Sequence, residues 1–216
     1  MHKLINNLNI IKENLKSKIS DYEKIKIIAV SKTFSQEKIA PLIEHGHLDF
    51  GENKVQEAID KWVDIKLNNQ KINLHLIGKL QTNKVKFAVK LFDYIHSVDN
   101  ERLARKISDE EKKINKKVKI FIQINIGEEE QKSGLNKNKL ENFYLYCKKL
   151  NLDVVGLMCI PPLDKDPIPY FKEMQILSNN LKISELSMGM SSDYIEAANC
   201  SSTFLRIGSS IFGNRF

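Results

Sequence analysis

Short apolar runs alternate with helical patterns along this chain, and that alternation constrains the fold more than any other feature. Eight such runs are rich in Val, Ile or Leu, and most are apolar on both faces, as parallel strands covered by helices are. The predicted strands cover residues 25–30, 47–50, 73–78, 94–98, 118–125, 152–160, 185–190 and 203–208. A strand followed by a helix, repeated in this way, predicts a (β/α)8 barrel.

An additional helix is predicted before the first strand, because apolar residues recur at positions 5, 8, 11, 15 and 19 with nearly the helical period. Ser35 is the expected N-cap of the next helix. Further helical patterns cover residues 53–67, 82–92, 100–114, 137–150, 169–181 and 192–198. We therefore predict an α/β fold, a single TIM-type barrel domain over residues 1–216 with an extra N-terminal helix. An open doubly wound sheet is the alternative, but no glycine-rich dinucleotide loop follows the first strand.

Composition narrows the class of protein. No apolar run approaches the ~20 residues that a membrane-spanning helix needs, and the N-terminal stretch has no signal-peptide pattern. The three cysteines are far apart and in no metal-like spacing, which is typical of reduced thiols in the cytoplasm. The net charge of +7 raises the alternative of nucleic-acid binding, but the lysines are scattered among glutamates on predicted helices. We expect a cytoplasmic protein without a membrane, nucleic-acid or metal site.

A lysine stands where the first buried strand ends, and this is where barrel enzymes place their functional groups. Desolvation near the strand end is expected to lower the pKa of Lys32 and favour its neutral amine. A neutral amine can condense with an aldehyde or ketone to give a Schiff base. The alternative is a lysine whose side chain extends to the rim and solvent, and its position alone does not separate the two.

Two glycine-containing segments follow the last two predicted strands, with the sequences SMGMSSD and RIGSS. Barrels of this kind often build phosphate sites there from backbone N–H groups and a helix N-terminus. Gly189 and Gly208 are expected to let the backbone approach an anion, and Ser191 to cap the helix that starts at residue 192. An ordinary cap followed by a turn is the alternative.

A lysine together with a phosphate cradle predicts a ligand that carries both a carbonyl group and a phosphate. Pyridoxal 5′-phosphate (PLP) is one candidate, and a sugar phosphate in a Schiff-base aldolase is the other. Arg206 lies on the last predicted strand beside the cradle. A permanent positive charge there would keep a nearby pyridine nitrogen unprotonated and so weaken the ring as an electron sink.

The same segments carry a family resemblance that covers nearly the whole chain. They occur in the order AVSKT, FGENKVQE, LHLIGKLQTNK, IHSVD, QINIGEEEQKSG, GLMCIPP, LSMGMSSDYIEA and FLRIGSSIFGNR, and together they resemble the pyridoxal phosphate homeostasis proteins. The resemblance implies a barrel similar to the N-terminal domain of alanine racemase. It also implies that PLP is held as an internal aldimine.

The resemblance assigns a role to individual residues of this chain. Lys32 would be the Schiff-base lysine, and Arg206 would face the pyridine nitrogen. His75 would approach the cofactor ring, and Met158 would line the mouth of the site. The remaining cofactor-binding residues implied are Asn53 in the second-strand loop, and Met190, Ser191, Gly208 and Ser209 at the phosphate.

The function that the resemblance implies is that of a PLP-binding homeostasis protein without established catalysis. Alanine racemase needs a second domain that brings a catalytic tyrosine, and little sequence follows the eighth predicted strand. A single base is poorly suited to remove a proton from one face and return one to the other. An amino-acid racemase of low activity remains the alternative. The expected partners are PLP and the PLP-dependent apo-enzymes that receive it, and the expected state is a monomer.

Overall fold

Eight parallel strands pair in chain order and close into a barrel. The computed structural model describes residues 2–213, so the predicted end positions 1 and 214–216 lie outside the described residues. Strand β1 pairs with both β2 and β8, which closes the sheet and confirms the predicted barrel. The strands are β1 Lys26–Val30, β2 Asp49–Glu52, β3 Asn73–Leu76, β4 Tyr94–Val98, β5 Lys119–Ile124, β6 Asp153–Cys159, β7 Glu185–Ser187 and β8 Phe204–Ile207.

Helices cover the outside of the barrel. They are α1 Lys3–Lys18, α2 Gln36–Glu44, α3 Val55–Asn68, α4 Val85–Leu91, α5 Glu101–Ile114, α6 Leu140–Lys149, α7 Ile168–Leu181, α8 Tyr194–Asn199 and α9 Ser209–Phe212. Short 3₁₀ turns lie at Tyr22–Lys24, Thr82–Lys84 and Lys137–Lys139. Helix α1 is the predicted extra helix, and its buried stripe consists of Leu4, Leu8, Ile11 and Leu15. It also covers α9, because the Asn7 side-chain amide donates to the Ile211 carbonyl at 2.8 Å. Within residues 2–213, no helix is long and apolar enough to cross a membrane.

Two local predictions at the seventh strand were wrong. The strand ends at Ser187 rather than at residue 190, because Gly189 has φ +90° and turns the chain out of the extended conformation. A Cβ on Gly189 would lie 2.5 Å from the Cβ of Ala197, so this glycine permits close packing of α8. Helix α8 starts at Tyr194 with Asp193 at its N-cap position, and Ser191 therefore does not cap it.

The barrel interior forms a small core of its own. Its apolar part consists of Ile28, Tyr94, Phe121, Met158 and Phe204, separate from the larger core between sheet and helices. Buried polar side chains, including two histidines, occupy the interior beside these rings. The interior is therefore filled, and an open cavity is found at the carboxyl ends of the strands, where the loops meet.

Candidate functional site

A cavity of about 400 Å³ opens at the carboxyl ends of the strands, where the sequence predicts the site. This volume lies within the range of small-molecule sites. Seven of the eight predicted site residues line it, namely Lys32, Asn53, Met190, Ser191, Arg206, Gly208 and Ser209. These residues come from the ends of the first two strands and the last two, which pairing around the barrel brings together.

Lys32 lies two residues past the end of β1 and is half-buried at the cavity. Thr33, directly after it, has φ +69°, a left-handed conformation that is unfavourable for a β-branched residue. The amide of Thr33 donates to the Glu57 carboxylate of helix α3, and this bond stabilises the turn. Backbone strain of this kind is common at functional sites, where the surrounding structure holds it in place.

A buried ion pair anchors the chain on the other side of Lys32. The Glu52 carboxylate is fully buried, and its Oε1 atom accepts hydrogen bonds from Ser31 Oγ at 2.8 Å and from Lys61 Nζ at 2.9 Å. Trp62 Nε1 donates to the same oxygen at 2.9 Å. Lys61 Nζ also donates to the Ser31 carbonyl at 2.9 Å. Ser31 is thus held through both its side chain and its backbone, which fixes the direction in which the chain presents Lys32.

The loop after β7 and the start of α9 form the predicted anion cradle. Ser191 Oγ accepts hydrogen bonds from the amides of Gly208 at 3.3 Å and Ser210 at 3.2 Å. Helix α9 begins at Ser209, and the first N–H groups of a helix have no partner within it. The oxygen of Ser191 therefore lies against these amides, in the region where an anionic ligand group would be stabilised.

Arg206 points from β8 into the base of the cavity and is only 4% exposed. Its NH1 group donates to the carbonyl oxygen and to the Oγ of Ser187, the latter at 2.7 Å, and NH2 donates to the Cys159 carbonyl at 2.8 Å. Burial lowers the pKa of Arg206 from its ordinary value, but an arginine in a protein remains charged. No carboxylate of the described chain lies within ion-pair distance of it, and Asp193 acts on the guanidinium only from beyond that distance, so its direct hydrogen-bond partners are neutral groups.

Comparison with known proteins decides the family. The profile of the alanine racemase N-terminal domain matches residues 2–215. A curated pyridoxal phosphate homeostasis protein from Pasteurella multocida is 34% identical over an alignment of 224 positions. The alignment covers 97% of this chain and 96% of that protein. The chain belongs to the pyridoxal phosphate homeostasis protein family. Another member, from Synechocystis, is 37% identical over 201 residues, covering 88% of this chain and 92% of that protein.

Solved structures share the fold of this chain. PipY of Synechococcus elongatus, solved with PLP bound, superposes with a TM-score of 0.86 at 30% identity and covers 97% of this chain and 100% of that one. Alanine racemase of Clostridium difficile shares the fold, with a TM-score of 0.73 at 19% identity. This chain covers 57% of that racemase, and 99% of this chain is matched.

Of the eight residues predicted to bind the cofactor, a set that does not include Met158, His75 is the one that the structure does not bring to the first cavity. Its ring is fully buried in the barrel interior, with Nε2 at 3.0 Å from Asp49 Oδ1 and Nδ1 at 3.0 Å from His96 Nε2. Ile77, two residues further along, lines the cavity instead. Residues i and i+2 of a strand share a face, so His75 points inward as predicted but lies roughly 6–7 Å deeper than Ile77.

Met158 is fully buried beneath a second cavity of about 360 Å³, which adjoins the first. The two cavities share Asn53, Ile77 and Ile160. Lys79 lines the second cavity only. Met158 therefore lies at the second cavity and not, as predicted, at the mouth of the first.

We expect the free energy of unfolding to fall as the pH drops below about 6.5, the value at which an unfolded histidine takes up a proton. Burial lowers the pKa of His75, against the opposing hydrogen bond to Asp49, and burial lowers the pKa of His96 well below its ordinary value. Each ring stays neutral in the folded protein, so its contribution is complete above that pH and is lost on acidification. The loss approaches about 1.4 kcal/mol per pH unit for each ring.

Urea unfolding at about pH 7.5 and 5.5 measures this loss, in a range where histidine is the side chain that titrates. A His96→Gln variant serves as the control, because glutamine does not titrate and the loss should become smaller. Equal free energies of unfolding for the wild type at the two pH values would contradict the prediction.

Proposed function

We propose that this protein binds PLP in the cavity at the carboxyl ends of its strands and acts in intracellular PLP homeostasis. One observation carries the proposal: a single cavity is lined by the Lys32 amine, by the start of helix α9 and by the buried Arg206 guanidinium. The amine suits the aldehyde of PLP, the start of the helix suits its phosphate, and the guanidinium suits its pyridine nitrogen. PipY was solved with PLP bound, and the curated relatives bear the homeostasis name, which supports the same ligand here.

Each side chain then has a distinct role in binding. When bound, PLP supplies an aldehyde that condenses with an amine, and Lys32 provides that amine. Gly208, Ser209 and Ser191 would hold the phosphate at the start of α9, where the Ser191 hydroxyl already accepts from the Gly208 amide, and Met190 lines the same cavity. Arg206 would lie near the ring nitrogen, where its permanent charge would disfavour protonation of that nitrogen. Asn53 supplies an amide group to the same cavity.

The set of cavity residues favours a carrier over a racemase. Among the described residues that line the cavity, Lys32 carries the one amine, and the other basic group, the Arg206 guanidinium, remains charged. Racemisation requires a proton to leave one face of a carbon and another to arrive on the opposite face, so two positioned groups are needed. A chain that binds PLP through one amine, without a second acid or base, suits storage and delivery of the cofactor.

The proposal is tested by titrating the apo protein with PLP, pyridoxal and a sugar phosphate while recording its visible spectrum. We expect a new absorption band with PLP and at least about tenfold weaker binding of pyridoxal, because the phosphate contacts are worth at least one charge-assisted hydrogen bond. Ser191→Ala should narrow the gap between PLP and pyridoxal, whereas Ser17→Ala, which removes an exposed hydroxyl of helix α1 outside the cavity, should leave it nearly unchanged. Absence of any PLP band would refute the proposal.

A racemase of low activity is the second candidate, favoured only by the presence of the same lysine. Racemase activity is measured by following the conversion of L-alanine and L-serine to their D-forms with the PLP-loaded protein. A rate no greater than that of free PLP would end this alternative. A rate well above it, lost in Lys32→Ala, would replace the carrier proposal.

The proposal also includes a one-domain unit over residues 1–216, a cytoplasmic location, a monomeric state and apo-enzymes as recipients. The three cysteines are buried thiols outside any disulfide, as suits a reducing compartment. Light scattering tests the oligomeric state, for which we expect one chain of 24.9 kDa. Transfer to a PLP-dependent apo-enzyme is tested by regain of that enzyme's activity, with Lys32→Ala protein as the control.

A further inference from the structure

A line of buried polar side chains crosses the interior of the barrel and ends at the cavity. Asp49 Oδ1 lies 3.0 Å from His75 Nε2, and His75 Nδ1 lies 3.0 Å from His96 Nε2. His96 Nδ1 lies 2.8 Å from Ser187 Oγ, which in turn lies 2.7 Å from Arg206 NH1. The side chains come from β2, β3, β4, β7 and β8, so the line joins strands on different sides of the barrel.

The chemistry of the two ends fixes the direction of every hydrogen bond between them. A carboxylate only accepts, so His75 carries its proton on Nε2 and donates it to Asp49. A neutral His75 ring then accepts at Nδ1, so His96 carries its proton on Nε2 and donates it to His75. Nδ1 of a neutral His96 ring is left to accept from the Ser187 hydroxyl, whose oxygen accepts from the guanidinium of Arg206, a group that only donates. All donors therefore point away from the cavity.

Packing holds the two imidazole rings in these orientations. The ring of His75 stacks on Tyr94 at 4.4 Å between centroids, and the ring of His96 stacks on Phe121 at 4.3 Å. Both histidines have no exposed surface. Neither ring can turn to exchange its donor and acceptor nitrogens without breaking a stack and two hydrogen bonds.

The charges at the two ends are opposite, and each lies away from a direct ionic partner. Arg206 has no carboxylate within ion-pair distance in the described part of the chain, as noted above. Burial alone would raise the pKa of the Asp49 carboxyl, but the hydrogen bonds from His75 and Asn73 hold that pKa below its ordinary value. Aligned hydrogen bonds between a carboxylate and a guanidinium polarise one another and so stabilise both charges.

We propose that Asp49, His75, His96 and Ser187 are positioning residues that act together on Arg206. They hold the NH1 group of the guanidinium through the Ser187 hydroxyl, and the Cys159 carbonyl holds NH2, so that the guanidinium keeps a fixed position at the base of the cavity. The line is not a proton relay, because a relay needs a group at each end that can give and take a proton, and arginine does not deprotonate. Its consequence for the cofactor rests on the proposed PLP function.

The first test uses the protein without PLP. Two-dimensional NMR of protein with ¹⁵N-labelled histidine reports which ring nitrogen carries the proton, and His96→Gln and His75→Gln variants assign the signals. We expect both rings to be neutral with the proton on Nε2 from about pH 8 down to 5.5, a range in which an exposed histidine titrates. A proton on Nδ1 of either ring, or a doubly protonated ring in this range, would overturn the proposal.

The second test measures the effect on the cofactor. Ser187→Ala removes the link to Arg206, and we expect about tenfold weaker PLP binding, as for one lost charge-assisted hydrogen bond, with a shifted visible band. Ser187→Thr keeps the hydroxyl and should restore both. Ser202→Ala, which removes another buried hydroxyl outside the line, should behave as the wild type.

Unchanged PLP affinity and an unchanged band in Ser187→Ala would overturn the positioning role. If the wild type itself bound no PLP, the proposed function would fail, and the NMR result alone would then decide whether the line exists as described.

Discussion

A Lys32→Ala variant is expected to lose the visible PLP band and to bind PLP at least about 100-fold more weakly than the wild type, a change of about 2.7 kcal/mol. The reason is that Lys32 is the one amine among the described residues that line the first cavity. Without it, the aldehyde of PLP has no amine in this cavity with which to condense. The remaining affinity should come from the cradle at α9 and from Arg206.

Stability should be nearly unchanged in this variant, because Lys32 is half-buried at a cavity and lies outside the two hydrophobic cores. Circular dichroism and urea unfolding check this point. Lys79→Ala is the matched control, since Lys79 lines the adjoining cavity. Absorbance titrations of the two variants should differ strongly, with Lys79→Ala close to the wild type. A Lys32→Ala protein that keeps the band would contradict the assignment.

Replacing Lys61 with methionine is expected to lower the free energy of unfolding by about 3–5 kcal/mol, the range measured when one member of a buried ion pair is removed. Lys61 is 7% exposed and Glu52 is fully buried, and their charged groups lie 2.9 Å apart. Methionine leaves the Glu52 carboxylate in the core with only the hydroxyl of Ser31 and the indole of Trp62. Its second oxygen, Oε2, already has no hydrogen-bond partner in the described structure.

Lys106→Met is the matched control for this effect. Lys106 pairs with Glu110 at 3.0 Å but is itself 41% exposed, and Glu110 keeps a second partner, Lys113 at 2.8 Å, so we expect a loss of at most about 1 kcal/mol. A double variant, Glu52→Gln with Lys61→Met, should recover part of the loss, because no charge is then left buried. Urea unfolding of the four proteins provides the comparison. A Lys61→Met midpoint equal to that of the wild type would contradict the role of the pair.

The same substitution should also weaken PLP binding, although Lys61 does not line the cavity. Lys61 Nζ holds the carbonyl of Ser31, the residue before Lys32. If the end of β1 is held less firmly, Lys32 can adopt more conformations. Conformations in which its amine does not point to the cavity lower the fraction of protein that can bind PLP. The pair is thus expected to connect core stability with the geometry of the site.

The order of strands was predictable because each strand of a parallel barrel is buried on both faces and so appears as a continuous apolar run. Lys32, Arg206 and the cradle followed from the rule that barrel sites lie at the carboxyl ends of strands. The rule does not say how far below the cavity a given residue of a strand lies. His75 has the right face, but the layer that reaches the cavity is set by the stagger of neighbouring strands, which leaves Ile77 at the mouth.

The Glu52 network escaped sequence analysis because its members are brought together only by the fold. Ser31 directly follows β1 and Glu52 ends the neighbouring strand β2, whereas Lys61 and Trp62 lie on helix α3. One signal was available: Lys61 falls on the same face of that helix as the buried residues Ala58 and Trp62. A charged residue on an apolar helix face predicts a buried partner of opposite charge, and Glu52 at a buried strand end was the nearest candidate.

The line from Asp49 to Arg206 shows a different limit of sequence reasoning. The two histidines were visible in predicted strands, but their partners depend on which side chains meet across the barrel interior. His96 and Ser187 are 91 residues apart in sequence and 2.8 Å apart in space. No short-range pattern encodes such a contact, and only the closed barrel reveals it.

The central claim is that Lys32 carries PLP, and one measurement tests it most directly. The wild-type protein is loaded with PLP, reduced with borohydride, digested and mapped by mass spectrometry. We expect the added phosphopyridoxyl mass on the peptide that contains Lys32, in nearly one copy per chain. A modification spread over many lysines, or concentrated on a different one such as Lys79, would contradict the account.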